Sequence, residues 1–295
     1  MAHNIFKGLG IALITPFLED GSVDYKSLIR LVEYQLNNGA DFFCILATTG
    51  ETPTLTAEEK QKIKDLIVDL VGGRVPILVG CGGNNTAAIV NELQTGDFRG
   101  VDGILSVCPY YNKPSQEGLY QHFKAIAAAT QLPVVLYNVP GRTGVNMTAA
   151  TSVRLAYDCP NIVAIKEASG NLEQVDEILK NSPRGFEVLS GDDALTFPMV
   201  SCGAVGAISV IGNALPREFS KMIRLQMRGE YDGARKIHHR FQDLFSLLFV
   251  DGNPAGVKCM LSEMGYIQNI LRLPLVPTRI STLQRMSEIM KELKI

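Results

Sequence analysis

The 295-residue sequence lacks the features that mark several special classes of protein. Its 28 basic and 30 acidic residues give a net charge of -2, and neither sign forms a long run. This balance excludes the strongly basic surface by which proteins bind nucleic acids or anionic membranes. No apolar run approaches the roughly 20 residues that span a bilayer. We therefore expect a small-molecule substrate, and neither a nucleic acid nor a membrane as a partner.

Sequence patterns for disulfides and metal sites are also missing. The six cysteines stand singly and form no Cys-x-x-Cys pair, so we expect reduced thiols. The four histidines show neither His-x-x-x-His nor His–Cys spacing, which argues against a transition-metal site. The first apolar stretch is too short and too early for a signal peptide, which predicts a cytoplasmic protein. The residues concerned are Cys44, Cys81, Cys108, Cys159, Cys202 and Cys259, and His3, His122, His238 and His239.

Eight apolar runs of strand length recur along the chain, and segments with helical periodicity separate them. Helix start signals include the capping box Thr56-x-x-Glu59, the pair Pro114-Ser115, and Asn171. Eight repeats of roughly thirty residues fit a closed (β/α)8 TIM barrel better than an open sheet. The predicted strands cover residues 8–15, 42–46, 75–80, 103–107, 133–137, 162–166, 186–190 and 204–209.

The alternation of strand and helix stops near Gly229. Helices without intervening strands are predicted over residues 231–249, 253–263 and 278–292. No Gly/Ser-rich or Pro-rich linker precedes them, so we expect this extension to pack on the barrel, with a role in assembly. The sequence therefore predicts a catalytic (β/α)8 barrel over residues 1–228 and a C-terminal helical extension over residues 229–295.

One predicted strand ends in a lysine. The apolar residues 162–165 lead directly into Lys166, and Glu167 follows. Lysine is rarely fully buried, so this position needs a physical reason. Two interpretations are open: Lys166 reaches solvent or pairs with a carboxylate such as Glu167, or it is an amine that burial activates for attack on a carbonyl carbon.

Other strand ends carry polar residues, and in a (β/α)8 barrel these ends form the active site. Thr48-Thr49-Gly50 follows the second strand and suits an anion-binding turn, although Thr-Thr-Gly is also an ordinary turn before a helix. Arg142 stands in a glycine-rich loop, either as a clamp for a carboxylate or as a solvated charge. Tyr137 ends the fifth strand, either as a core residue or as a proton donor.

Two further patterns receive less weight. Glycines at positions 80, 82 and 83 suggest a phosphate loop, but no Gly-Lys-Ser/Thr follows, which disfavours nucleotide binding. The pair Asp192-Asp193 follows the seventh strand and either binds magnesium or caps the next helix.

Several separate motifs occur in an order that resembles one known family. They are Thr48-Thr-Gly-Glu51, Pro109-Tyr-Tyr-Asn112 with Pro114-Ser-Gln-Glu-Gly118, Tyr137-Asn-Val-Pro140 with Arg142-Thr-Gly144, and Ile165-Lys-Glu167. Together they resemble the dihydrodipicolinate synthase and N-acetylneuraminate lyase superfamily of Schiff-base aldolases. The likeness runs from about Gly8 to Leu271-Arg-Leu-Pro274.

The resemblance implies roles for the residues at the strand ends. Lys166 would form an imine with pyruvate, and Thr48, Tyr137 and Tyr111 would relay protons. Tyr111 would act across a subunit interface, in a homotetramer built as a dimer of dimers. Because the protonated imine is itself the electron sink, the resemblance implies neither a metal nor an organic cofactor.

The resemblance also implies how the substrates are held. Thr49 and Gly50 would hold the pyruvate carboxylate, and Ile208 would line the pocket near the lysine. Arg142 would receive the carboxylate of L-aspartate 4-semialdehyde. Relatives that act on sialic acid or sugar acids generally lack the Arg-Thr-Gly found here, which favours the semialdehyde.

The implied reaction condenses pyruvate with L-aspartate 4-semialdehyde to give 4-hydroxy-tetrahydrodipicolinate, the first committed step of diaminopimelate and lysine biosynthesis. Another pyruvate-dependent aldolase or lyase of the same superfamily, such as N-acetylneuraminate lyase, is the alternative enzyme. A non-catalytic barrel that binds a small carboxylate is an alternative of a different class. One departure from the family pattern is Ala47, which replaces a glycine and is tolerated if its φ is negative.

A second departure generates a prediction about regulation. Relatives inhibited by L-lysine use histidines and a glutamate in an effector pocket at the dimer interface, where this chain has Ala57, Lys60 and Ala88 and retains Asn84 and Tyr110. The lost carboxylate removes a partner for the ammonium group of the effector. We expect weak or absent inhibition in steady-state assays with added L-lysine. Strong inhibition at sub-millimolar L-lysine would contradict this expectation.

Overall fold

The computed structural model describes residues 5–295, so His3 and the first four residues of the predicted barrel domain lie outside it. Eight parallel strands pair in chain order, and the eighth pairs with the first to close the sheet. The predicted (β/α)8 barrel with a C-terminal helical extension is confirmed. The strands are β1 (Gly8–Ala12), β2 (Phe42–Ile45), β3 (Ile77–Gly80), β4 (Gly103–Val107), β5 (Val134–Asn138), β6 (Ile162–Glu167), β7 (Glu187–Ser190) and β8 (Gly206–Ser209).

Helices connect the strands and form the C-terminal extension. The α-helices are α1 (Tyr25–Asn37), α2 (Ala57–Val71), α3 (Thr86–Thr95), α4 (Gln116–Ala128), α5 (Pro140–Thr143), α6 (Ala149–Asp158), α7 (Leu172–Asn181), α8 (Thr196–Cys202), α9 (Pro216–Met227), α10 (Tyr231–Leu247), α11 (Ala255–Glu263) and α12 (Ile280–Leu293). Short 3-10 helices cover Thr48–Gly50, Thr52–Thr54, Asp193–Leu195 and Ile211–Asn213.

The first, second, third, seventh and eighth strands are shorter than the sequence predicts, and for the third and the first the difference has a hydrogen-bonding cause. The third strand begins at Ile77 rather than at residue 75, because Pro76 has no N–H to donate to a neighbouring strand. The first strand ends at Ala12 rather than at residue 15. Beyond it, the N–H of Ile14 is donated to the side chain of Asn213, at 3.2 Å, and no longer to the sheet.

The predicted helix starts are confirmed by side-chain caps. Thr56 and Glu59 form a reciprocal capping box at α2, with hydrogen bonds of 2.9 and 3.2 Å. Ser115 caps α4 and Asn171 caps α7, each by accepting a backbone N–H in the first turn. These side chains satisfy N–H groups that the helices cannot pair internally.

Aromatic rings fill the amino end of the barrel. Phe6 and Phe42 contact each other edge to face, with ring centroids 5.4 Å apart. A Cβ at Gly10 would lie 2.2 Å from the Phe42 ring, so only glycine admits the ring at this point. The barrel interior is therefore packed with apolar groups at this end, and the polar residues predicted for the site lie at the opposite, carboxyl ends of the strands.

The C-terminal extension packs against the barrel, as expected. Helix α10 lies on α9, and α12 packs on α10 and α11. The division of the chain at residues 228 and 229 stays a prediction. Within residues 5–295, no helix combines the length and the apolar character needed to cross a membrane.

Candidate active site

A cavity of about 440 Å³ opens at the carboxyl ends of β2 to β5. It brings together several residues that the sequence placed at strand ends. A larger, shallower groove of about 750 Å³ lies outside the barrel along α1 and α2, away from these strand ends. The lining of the strand-end cavity includes Thr48, Tyr110, Tyr137, Arg142 and Asn253.

Lys166 is buried beside this cavity and is only 5% exposed. Strand pairing sets it opposite Tyr137, and its Nζ lies 4.3 Å from the centroid of the Tyr137 ring. Cys44 belongs to the interior cluster of the barrel, and burial raises the pKa of its thiol to about 11. The positive charge of Lys166 is near enough to this thiol to oppose the rise. The lysine therefore points toward the barrel interior. Among residues 5–295 no salt bridge involves Lys166. Of the two interpretations, the structure therefore matches a buried amine without a counter-ion.

Glu167 points to the other face of β6, as alternation along a strand requires. Its carboxylate accepts hydrogen bonds from Asn138 Nδ2 at 3.0 Å, Gln174 Nε2 at 3.1 Å and the backbone N–H of Ser169 at 2.6 Å. This network fixes the ends of β5 and β6 from outside the barrel. The carboxylate is thus satisfied without Lys166, which excludes the pairing of the two neighbours.

The Thr48–Gly50 segment forms a 3-10 turn at the cavity. Thr15 Oγ1 donates to the Gly50 carbonyl at 2.8 Å, and Asn253 Nδ2 donates to Thr49 Oγ1 at 3.0 Å. Thr49 and Gly50 are buried behind Thr48. Ala47 precedes the turn with φ -111°, so the condition under which alanine replaces glycine there is met.

Glu51, directly after this turn, adopts a left-handed backbone with φ 52°. Its buried carboxylate forms an ion pair with Lys258 of α11 and also accepts the backbone N–H of Arg272 at 3.0 Å. Burial lowers the pKa of Lys258 to about 8, although the charge of Glu51 opposes this shift. Sequence reasoning missed Lys258 and Asn253. The available signal was a lysine inside an apolar stretch of the predicted extension.

Arg142 and Tyr111 lie at the outer edge of the site. Arg142 is exposed in α5, and its guanidinium has no hydrogen-bond partner among residues 5–295. Tyr111 has φ 72° and is 88% exposed, outside the cavity. The two retained effector positions are adjacent, because Asn84 Nδ2 donates to the Tyr110 carbonyl at 3.2 Å.

The ends of β7 and β8 complete the interior of the barrel. Ile208 is buried in the interior cluster that also contains Tyr137. Asp192 accepts the N–H of Ala194 at 2.9 Å, so it caps the following turn as one of the two interpretations expects. Asp193 accepts the N–H groups of Val210 and Ile211 at 3.0 and 2.7 Å, and burial raises its pKa to about 6.

The cavity lies where (β/α)8 barrels carry their chemistry. The fold and the site define a (β/α)8-barrel enzyme. Residues 5–293 match the model of the dihydrodipicolinate synthetase family. The chain belongs to this family, which confirms the resemblance inferred from its motifs.

Relatives agree along nearly the whole chain. A 4-hydroxy-tetrahydrodipicolinate synthase of Phocaeicola vulgatus is 65% identical over 295 residues, which cover 100% of this chain and 99% of the relative. The dihydrodipicolinate synthase structure from Thermotoga maritima has a TM-score of 0.96 at 40% identity and covers 99% of each chain. A structure described as the first monomeric dihydrodipicolinate synthase variant has the same TM-score and identity, covering 98% of this chain and 97% of the other.

Gly191 leaves the space that the Lys166 side chain occupies. A Cβ at this position would lie 2.8 Å from the Ala168 Cβ and 3.0 Å from Lys166 Cε. We expect Gly191→Ala to slow the imine formation that the resemblance implies for Lys166 about 10- to 100-fold, because small displacements of a reacting group are costly. The measurement is the rate of borohydride trapping of pyruvate on the protein.

The matched control for this prediction is Gly83→Ala. A Cβ at Gly83 meets nothing closer than Ile89 Cδ1 at 3.9 Å, so trapping should proceed as in the wild type. Unchanged trapping in Gly191→Ala would show that this glycine does not set the position of Lys166.

Proposed function

We propose that the protein is a Schiff-base-forming lyase that condenses pyruvate with L-aspartate 4-semialdehyde to give 4-hydroxy-tetrahydrodipicolinate, as the names of its relatives indicate. This is the first committed step of diaminopimelate and lysine biosynthesis. The observation that carries the proposal is Lys166, which is buried beside the cavity, packs on Tyr137 and has no counter-ion among the residues that the structure describes.

The chemistry begins with attack of the Lys166 amine on the pyruvate carbonyl carbon. Loss of water gives an imine, whose positive charge acidifies the pyruvate methyl group, and removal of a methyl proton gives the enamine. The enamine carbon attacks the aldehyde carbon of the second substrate, and the aldehyde oxygen takes up a proton. The amino group of that substrate then attacks the imine carbon, which closes the ring and releases the lysine. In this scheme the imine is the electron sink, so no metal or organic cofactor takes part.

Proton transfers in this scheme use hydroxyl groups. Thr48 and Tyr137 line the cavity, and Tyr137 touches the lysine, which supports their role in a relay. Tyr111 joins the relay of a neighbouring subunit, and its 88% exposure in the single chain supports this role. We therefore propose a homotetramer built as a dimer of dimers, although a monomeric variant exists among the structural relatives.

The carboxylates of the two substrates bind to different groups. Thr49 and Gly50 receive the pyruvate carboxylate at the turn, where N–H groups and hydroxyls favour an anion. Arg142 receives the carboxylate of the semialdehyde, and its unpaired guanidinium at the mouth supports this assignment. Ile208 lines the pocket near the lysine, from the interior cluster.

Two remaining proposals concern regulation and location. Asn84 and Tyr110, which are hydrogen-bonded neighbours, are the residues that we assign to an effector site. We place the protein in the cytoplasm, where the free and mostly buried cysteines are compatible with a reducing environment.

Borohydride reduction in the presence of pyruvate tests the imine. We expect one pyruvyl-derived adduct per chain, assigned to Lys166 by peptide mass measurement, because reduction fixes the imine as a stable amine. Lys166→Ala should give no adduct, whereas Tyr111→Phe should retain the adduct and turn over slowly. An unmodified wild-type protein would contradict the mechanism and would favour a non-catalytic carboxylate-binding barrel.

Steady-state assays separate the candidate second substrates. L-aspartate 4-semialdehyde should be condensed with pyruvate, and N-acetylneuraminate should not be cleaved. The opposite result would assign the chain to another pyruvate-dependent activity of the superfamily while leaving the adduct on Lys166 intact.

Arg142→Gln tests how the second substrate is held. We expect the KM for the semialdehyde to rise about 10- to 100-fold, since a hydrogen bond to a charged group contributes roughly 1.5–3 kcal/mol. Pyruvate trapping should be unaffected, because a different turn binds that carboxylate. Arg184→Gln, at another exposed arginine outside the cavity, is the control. A semialdehyde KM equal to that of the wild type would remove Arg142 from substrate binding.

A further inference from the structure

Lys258 is a second buried lysine, and it comes from the C-terminal extension. It is 0% exposed in α11, where it forms an ion pair with Glu51 and donates to the Ile270 carbonyl at 2.9 Å. Its Nζ also lies 4.1 Å from the centroid of the Phe17 ring. Burying two charges is expensive, and hydrophobic residues of similar size are often at least as stable. Stability alone therefore does not account for this pair.

The partner of Lys258 occupies a strained position in the site. Glu51 has φ 52° and ψ 33°, a left-handed conformation that residues other than glycine adopt only when the surroundings enforce it. Its N–H closes the preceding turn by donating to the Thr48 carbonyl at 3.1 Å. The backbone conformation of Glu51 therefore determines how the Thr48–Gly50 turn ends.

The restraints on Glu51 come from the extension. One carboxylate oxygen pairs with Lys258, and the other accepts the N–H of Arg272 at 3.0 Å. The Arg272 guanidinium binds Glu59 at 2.5 and 2.7 Å, so the two cations are balanced by two carboxylates. Phe17 contacts both cations, since the Arg272 guanidinium carbon lies 4.5 Å from the centroid of its ring.

A separate contact reaches the same turn from the extension. Asn253, just before α11, donates its amide N–H to Thr49 Oγ1 at 3.0 Å. The turn is thus held at Thr49 and at Glu51, on either side of Gly50. Both contacts fix the orientation of Thr49 and Gly50, which bind the pyruvate carboxylate in the proposed function.

We propose that Lys258 is a positioning residue for pyruvate: through Glu51 it holds the Thr48–Gly50 turn in the geometry that receives the carboxylate of the 2-oxo acid. The inference rests on the proposed function, which gives this turn its ligand. It makes the C-terminal extension a direct contributor to substrate binding. Lys258 touches neither the substrate nor Lys166 in this scheme, so its effect is confined to the carboxylate end of pyruvate.

The double variant Glu51→Gln/Lys258→Met tests the proposal. It removes both charges at nearly constant side-chain size and leaves no buried charge unpaired, so we expect a folded protein. The measurement is the rate of borohydride trapping with subsaturating pyruvate and, separately, with acetone, a ketone that lacks a carboxylate. Pyruvate trapping should fall about tenfold, equivalent to the loss of one well-formed hydrogen bond to a charged group. Acetone trapping should stay near the wild-type rate.

The two ketones separate positioning from general damage. An equal fall with pyruvate and acetone would mean that the site is disordered as a whole and would overturn the proposal. Unchanged pyruvate trapping would overturn it as well. If the wild type forms no adduct with pyruvate, the proposed function fails and this inference fails with it, a result distinct from an effect confined to the variant.

Two further variants complete the experiment. Arg279→Met breaks an exposed ion pair with Asp251 in the same extension and should change neither trapping rate. If circular dichroism shows the double variant to be unfolded, Glu51→Gln/Lys258→Gln carries the same comparison, because it also leaves no buried charge unpaired and keeps an acceptor for the Arg272 N–H and a side-chain N–H at position 258. A preferential loss of pyruvate trapping supports the proposal, and an equal loss with both ketones overturns it.

Discussion

The proposed active site depends on burying Lys166 without giving it a counter-ion among residues 5–295. Coulomb attraction strengthens as water is excluded, so a carboxylate beside a buried amine would form a tight ion pair with it. Side chains alternate between the two faces of β6, so Glu167 points away from Lys166. Its carboxylate accepts hydrogen bonds from Asn138, Gln174 and a backbone N–H. What faces the lysine instead is an aromatic ring, that of Tyr137.

A comparison of the buried lysines Lys166 and Lys258 shows how the surroundings decide the role of a side chain. Lys258 has a carboxylate partner and a carbonyl acceptor, so its donors are committed to the structure. Lys166 has neither a salt bridge nor a carbonyl acceptor among residues 5–295. The same residue type therefore forms a structural ion pair in one place and is the proposed nucleophile in the other. The barrel keeps them apart by placing Lys258 on the extension and Lys166 at the end of β6.

Local patterns predicted much of the fold and part of the site. Alternating apolar runs and helix caps act over a few residues, so the eight strands, the caps at Thr56, Ser115 and Asn171, and a strand-end lysine were all readable from sequence. The contacts of the extension were not. Asn253 and Thr49 are 204 residues apart in sequence, and no local periodicity reports that they meet. The left-handed backbone of Glu51 could not be predicted from the sequence for the same reason, since groups distant in the chain enforce it.

Residues of the C-terminal extension contact Glu51, which follows the second strand. These contacts affect the order in which parts of the protein fold during synthesis. Translation proceeds from the amino end, and domains form as their residues emerge. The N–H of Arg272 that restrains Glu51 belongs to a residue 221 positions later in the chain. A nascent chain that carries all eight strands still lacks the groups of the extension that restrain Glu51 after the Thr48–Gly50 turn. These contacts can form only when the protein is almost fully made.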